Sequence, residues 1–137
     1  MKFTREQSEG LYTVHAFQTG SVVLNSPHSS DERDEEGRIA LSRSFILSPK
    51  RLLPDWEPLA LEQIGTGDLQ QIDALRPELL LLGTGETLCF PGEKLLAALI
   101  GLGIGYEIMD SAAACRTYNI LAAEGRRVAA ALLMIEG

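Results

Sequence analysis

The sequence predicts an α/β fold. It reads as a single layered domain with an antiparallel N-terminal β part (residues 1–58) and a β-α-β-α-β C-terminal part (residues 59–137) whose strands run parallel. Three observations carry this. Short extended runs separated by turn residues and prolines fill the first 58 residues, the apolar run Leu79 to Leu82 is bracketed by Pro77 and Gly83, and two later segments with helical spacing alternate with strand-like runs. Each element follows from local chemistry. Leu11 to Phe17 alternates imperfectly around Tyr12, Val14 and Ala16, turns at Thr19-Gly20, and continues as Ser21 to Leu24. Arg38 to Leu41 and Phe45 to Leu47 then extend a long-looped hairpin or meander. Pro49, Pro54 and Pro58 cannot donate to a central ladder, so 48–58 is an edge-like connector that carries the one tryptophan, Trp56.

Beyond residue 60, Thr66 is placed as an N-cap with Asp68 behind it. Leu69, Ile72 and Leu75 form the apolar side of a short helix that stops before Pro77. Glu78 to Leu82 is a strand covered on both faces, decided by its length and its flanking breakers rather than by leucine itself. Pro91 suits a first helical turn, and Glu93 to Leu102 is a helix striped by Leu95, Leu96, Leu99 and Ile100. That helix is apolar on nearly every side, which implies either double burial or an exposed strip used for association. Tyr106 to Met109 is a strand, Asp110-Ser111 caps a helix from Ala112 to Ala123, and Val128 to Ile135 is the last strand.

Composition narrows the functional classes. With 12 Lys plus Arg against 19 Asp plus Glu, the formal charge of −7 is wrong for a protein that binds nucleic-acid phosphates by releasing counterions. Asp31 to Glu36 reads DERDEE, five acids and one base, and is expected to be a solvated loop kept extended by self-repulsion. The N-terminal MKFTREQSEG lacks an apolar secretory core, so the mature chain is expected to begin here, and no run approaches the roughly 20 apolar residues of a bilayer span. Cys89 and Cys115 have neither disulfide-framework nor zinc-site spacing, so a reducing cytoplasm is the expected compartment. No cofactor and no metal cage is expected.

In open parallel sheets, ligands bind where strand C-termini lead into helix N-termini. That rule selects Gly83, Thr84 and Gly85 with the Glu86-Thr87 that follow, and Asp110 and Ser111 with Arg116 on the helix behind them. If the two strands are neighbours, these residues line one crevice. Structural alternatives stand beside each. GTGET lacks the third glycine of a dinucleotide fingerprint and the Gly-Lys of a P-loop, so its glycines serve a tight turn equally well. Asp110 is more a cap than a base. Arg116 either snorkels to water, pairs with a carboxylate such as Glu86 or Asp110, or binds an anion, and Cys115, whose thiolate the helix dipole could favour, is among alanines more often inert packing. Since His15 and His28 lie in the β part and its acidic loop, no Cys-His pair and no other catalytic constellation is indicated.

Several ordered segments carry a family resemblance: Gly83-Thr84-Gly85, Gly103-Ile104-Gly105 leading to Met109-Asp110, Ala114-Cys115-Arg116-Thr117-Tyr118-Asn119, and Glu124-Gly125-Arg126-Arg127-Val128. Pro77 to Leu133 thereby resembles a family of small uncharacterised bacterial and archaeal α/β proteins. That family includes a mitochondrial complex I (NADH dehydrogenase) assembly factor and the adipogenesis-associated domain protein of animals. Two features depart from it, Ser111 where threonine is expected and the acidic segment 31–36. The resemblance implies a β-rich half joined to a strand-and-helix layer, no known reaction and, through the mitochondrial branch, association with other proteins, while the apolar helix separately suggests a partner or homo-oligomer surface. The functional expectation is therefore a non-enzymatic, assembly-factor-like domain, with a small-anion binder or an uncharacterised enzyme at the strand ends as the alternative.

Overall fold

The computed structural model describes residues 10–134, so the expectations for residues 1–9 and for Ile135 lie outside the described residues. Strands β1 (Thr13–Gln18), β2 (Ser21–Asn25) and β3 (Arg38–Leu41) form a three-stranded antiparallel sheet in that order. The imperfect alternation in the first run has a structural cause. Val14 pairs with Leu24 and Ala16 with Val23, so His15 is an extra residue in a bulge and the side chains change face there.

The second sheet has five strands in the order β5-β4-β8-β6-β7, built from β4 (Phe45–Leu47), β5 (Leu52–Leu53), β6 (Leu79–Gly83), β7 (Gly105–Met109) and β8 (Val128–Leu132). β6 is parallel to both β7 and β8, as the alternating pattern predicts. The meander expectation is corrected at β4, which leaves the first sheet and pairs antiparallel with β8. Phe45, Ile46 and Leu47 are all fully buried, and a run buried on both faces belongs inside a sandwiched sheet. β5 follows as the edge strand within the proline-rich connector, and Trp56 beyond it is buried.

Three helices join the strands: α1 (Thr66–Asp73), α2 (Glu93–Gly101) and α3 (Ser111–Ala123), with a short 3-10 turn at Leu61–Gln63. Thr66 does not cap α1. Gly65 holds that position, and its N–H donates to Asp68 Oδ2 at 2.8 Å. Around β6 the chain reverses direction across the sheet, since α2 leads to β7 on one side and α3 leads to β8 on the other. Right-handed crossovers taken in opposite directions put their helices on opposite faces.

The core divides accordingly, because successive strand residues point to opposite faces. Leu47, Leu81, Ala130 and Leu132 pack with Ala114, Cys115 and Tyr118 of α3 and with Tyr12, Val14 and Leu24 of the first sheet. Ile46, Leu80, Leu82, Ala129 and Ala131 pack with Leu69, Ile72 and Leu99 of α1 and α2 and with Trp56. Alanines at the centre of β8 leave room for both layers. α3 also fastens the first sheet through polar contacts. Asn119 Oδ1 accepts from Val14 N–H at 2.9 Å and its Nδ2 donates to Val14 C=O at 2.8 Å, while Tyr118 Oη donates to Tyr12 C=O at 2.8 Å. The Asn119 amide therefore takes the place of a neighbouring strand along the open edge of β1.

The acidic segment also departs from expectation, because it is folded rather than simply extended. Asp31 Oδ2 accepts from Tyr12 Oη at 2.6 Å and from Ser26 Oγ at 2.5 Å. Asp34 Oδ1 accepts the backbone N–H of Glu36 and of Arg38, at 2.8 and 2.9 Å. Carboxylates that satisfy turn N–H groups offset their mutual repulsion.

Candidate functional site

The C-terminal ends of β6 and β7 are where chains diverging to opposite faces open a crevice. The structure brings the two sequence-selected loops together there. Thr84 N–H donates to Met109 C=O and Ser111 N–H donates to Gly85 C=O, both at 2.9 Å. Ser111 is fully buried, its Oγ accepting from Gly85 N–H at 2.9 Å and donating to Leu133 C=O at 3.2 Å. Thr84 is buried as well, with Oγ1 donating to Thr87 C=O at 2.7 Å and accepting from Cys89 N–H at 3.0 Å. Each hydroxyl thus gives its one proton to a backbone carbonyl and accepts a backbone N–H, stitching β6, β8 and the start of α3 into one unit.

The glycines serve that closure. A Cβ on Gly83 would collide with the Leu132 side chain and lie 2.9 Å from Ser111 Oγ, so only glycine lets α3 approach the sheet. Gly85 takes φ of 102°, a left-handed value that side-chain-bearing residues rarely adopt. Asp110 is the N-cap of α3, with Oδ1 accepting from Ala113 N–H at 2.8 Å. Arg116 lies exposed on α3, and Glu86 Oε1 accepts from Thr19 Oγ1 at 2.7 Å, which ties the loop to the first sheet. Cys115 is fully buried and its thiol is pushed up to about 12, chiefly by burial, against the pull of the neighbouring Arg116 charge. A thiol so placed is packing material, not a nucleophile.

Open space lies beside this closed crevice, on the α1 and α2 face. A cleft of about 930 Å³ runs between the stretch from Leu59 to Leu69 and the stretch from Thr84 to Ala98. Leu61, Ile64, Leu69, Leu95 and Ala98 line it, and Thr84 reaches its inner wall. Leu59 on one wall is 45% exposed and Phe90 on the other is 77% exposed, with Leu88 beside it at 48%. On α2, Leu99 is buried while Ile100 is exposed, so the helix is not buried on both sides. Sequence reasoning passed over Phe90. The available signal was the apolar Leu88-Cys89-Phe90 set in a loop between a polar turn and Pro91.

A mixed-sheet α/β domain with its switch-point loops sealed and an apolar cleft alongside is a class defined by architecture rather than by a reaction. The chain belongs to the family described as "Protein of unknown function (DUF498/DUF598)", which matches residues 15–133. An uncharacterised Rhodobacter capsulatus protein is 41% identical over 80 residues, covering 57% of this chain and 64% of that protein. The "13 kDa major membrane protein" of Francisella tularensis is 33% identical over 90 residues, 65% of this chain and 73% of that protein. NADH dehydrogenase [ubiquinone] 1 alpha subcomplex assembly factor 3 of Xenopus tropicalis is 33% identical over 87 residues, 62% of this chain and 47% of that protein. The chain therefore spans about half the length of that animal relative.

Among solved structures, a Bordetella parapertussis protein superimposes with a TM-score of 0.73 at 35% identity, covering 92% of this chain and 98% of that one. A Bordetella pertussis protein described as a Mth938-like domain gives 0.70 at 30% identity, covering 97% and 92%. The α/β class and the family resemblance read from the sequence both stand. No helix among the described residues is long and apolar enough to cross a membrane.

Proposed function

We propose that this chain is a non-enzymatic protein-association domain of the assembly-factor kind, acting in the cytoplasm, and that it takes an apolar, basic-flanked segment of a partner protein into the cleft between α1 and α2. The observation that carries the reading is the exposure of Phe90 at the mouth of that cleft, since a solvent-facing aromatic beside an apolar groove is typical of a binding anchor. Charge selects the partner. Glu62 and Lys94 line the cleft itself, and Asp68, Glu86 and Glu93 lie in the same two stretches, 59–69 and 84–98, which together carry a net −3. Such a rim favours lysine or arginine beside apolar anchors and repels acidic partners. The names of the animal relatives support a role in the biogenesis of a respiratory NADH dehydrogenase.

The test uses two synthetic amphipathic helices with the same apolar residues, one flanked by lysines and one by glutamates, titrated by fluorescence anisotropy. The lysine peptide binds, the glutamate peptide binds at least about tenfold more weakly, and Phe90→Ser removes the binding of the first. Equal affinity for both peptides, indifference to Phe90→Ser, or self-association of the chain through this face overturns the reading.

The alternative, a small-anion site or an uncharacterised enzyme at Gly83, Thr84, Gly85, Asp110, Ser111 and Arg116, has less support. Its two hydroxyls and its aspartate carboxylate already hold protein partners. It requires that Arg116→Ala abolish every ligand-induced thermal shift.

A further inference from the structure

A second cavity, of about 350 Å³, lies at the opposite end of the five-stranded sheet, where β6 and β8 begin and β4 ends. Leu75, Pro77 and Val128 contribute apolar wall, and Lys50, Arg126 and Arg127 line the same space. We propose that this cavity binds a phosphate ester whose organic part is apolar, with the phosphate held by Lys50, Arg126 and Arg127.

Charge distribution is the first argument. The segments that form the cavity, 48–51, 75–78 and 124–128, carry Lys50, Arg51, Arg76, Arg126 and Arg127 against Glu78 and Glu124, a net +3 in a chain of net −7. A concentration of cations around a concave, partly apolar space focuses potential on a bound anion.

Orientation is the second. Arg126 Nε donates to Glu78 Oε1 at 3.0 Å, and the same oxygen accepts from Arg127 N–H at 3.0 Å. Arg127 Nε donates to the carbonyl of Arg76 at 3.4 Å, and Arg76 has φ of 53°, the only non-glycine positive value among the described residues. A left-handed turn at a long side chain is an uncommon conformation, and here its carbonyl faces the Arg127 guanidinium. Each guanidinium is thereby anchored by Nε, and among the described residues neither has a partner for its Nη nitrogens. Those nitrogens form the planar fork that suits a phosphate. The arginine N–H groups hold Glu78 below the ordinary carboxylate range, the backbone of Arg127 contributing most, so the acid stays ionised and keeps the fork in place.

The ester has two sources, a soluble metabolite or a phospholipid headgroup at a membrane surface, and the experiment separates them. The full chain is titrated with hexyl phosphate and with inorganic pyrophosphate by calorimetry, and sedimented with vesicles of phosphatidylcholine with or without phosphatidic acid. Hexyl phosphate is expected to bind more tightly than pyrophosphate, because only the former uses the apolar wall. Lys50→Gln and Arg127→Gln should each weaken it about tenfold, the effect of one charge-assisted hydrogen bond, while Arg43→Gln, at an exposed arginine that does not line the cavity, leaves it unchanged. Both substituted side chains are surface groups, and a thermal melt of each variant verifies folding.

Binding of hexyl phosphate without vesicle sedimentation supports a soluble ester. Sedimentation that requires phosphatidic acid and is lost in Arg127→Gln supports the headgroup. No binding in either assay, binding insensitive to both variants, or an equal loss in Arg43→Gln overturns the proposal. None of these outcomes depends on the peptide cleft, which lies at the other end of the sheet.

Discussion

The two ends of the five-stranded sheet use the same kinds of atoms to opposite effect. At the C-terminal end of β6, backbone N–H groups and two hydroxyls turn inward and bind each other, so the position where parallel sheets commonly receive ligands is filled by the chain itself. At the N-terminal end, one carboxylate and one carbonyl hold two guanidiniums by their Nε atoms, and among the described residues their outer nitrogens have no partner. The difference shows that a favoured location in a fold is only an invitation. Whether a site exists there depends on whether the polar groups have already been satisfied within the protein.

Substitutions can break this contrast in graded steps. Gly83→Ala should have the largest effect, because the new methyl meets Leu132 and Ser111 in a packed layer. Overpacking of this kind should lower the unfolding free energy by about 2 to 3 kcal/mol in urea titration. Ser111→Ala leaves the Gly85 N–H without its hydroxyl acceptor in a buried position and should cost about 2 kcal/mol. If instead it is neutral, the sealed loop is not the stabilising unit described. Asp110→Ala removes one helix cap and should cost about 1 kcal/mol. Phe90→Ser should leave the urea midpoint nearly unchanged, since the ring is mostly exposed, while removing peptide binding.

The pH dependence sharpens the picture at the edges. Asp31 lies below its ordinary value of 3.8, held there first by the Ser26 hydroxyl and then by Tyr12, so its stabilising contribution is present above that value and is lost as pH falls below it. Tyr12 is pushed up to about 12 by burial and by the Asp31 hydrogen bond, so its contribution is complete below 10 and is lost as pH rises toward 12. Thermal melts of the wild type should show a plateau between these limits. Asp31→Asn should reduce the loss on the acid side, and an unaltered acid limb would remove Asp31 from the account.

Much of the architecture was legible because burial and periodicity are local records. Four leucines between a proline and a glycine, and alanines in a strand-length run, declare a sheet covered on both faces. Asp110 declared a cap, and the structure places it as one. β4 was misplaced because the choice of partner strand depends on contacts between residues about 85 positions apart, Phe45 with Leu132. Local propensity does not encode such a distant pairing. The acidic segment was read from its charge, but its shape comes from Tyr12 and Ser26, which meet Asp31 only in the folded chain.

By itself the sequence determined the kind of elements, their approximate order and the net acidity, since these depend on each residue's own chemistry and its near neighbours. Tertiary structure alone decided which polar groups remained available. It turned Thr84 and Ser111 inward, exposed Phe90 beside a cleft, and gathered Lys50, Arg126 and Arg127 from widely separated segments to one cavity. Hydrogen-bond satisfaction and charge convergence are properties of distances in space, and a linear order of residues does not fix those distances.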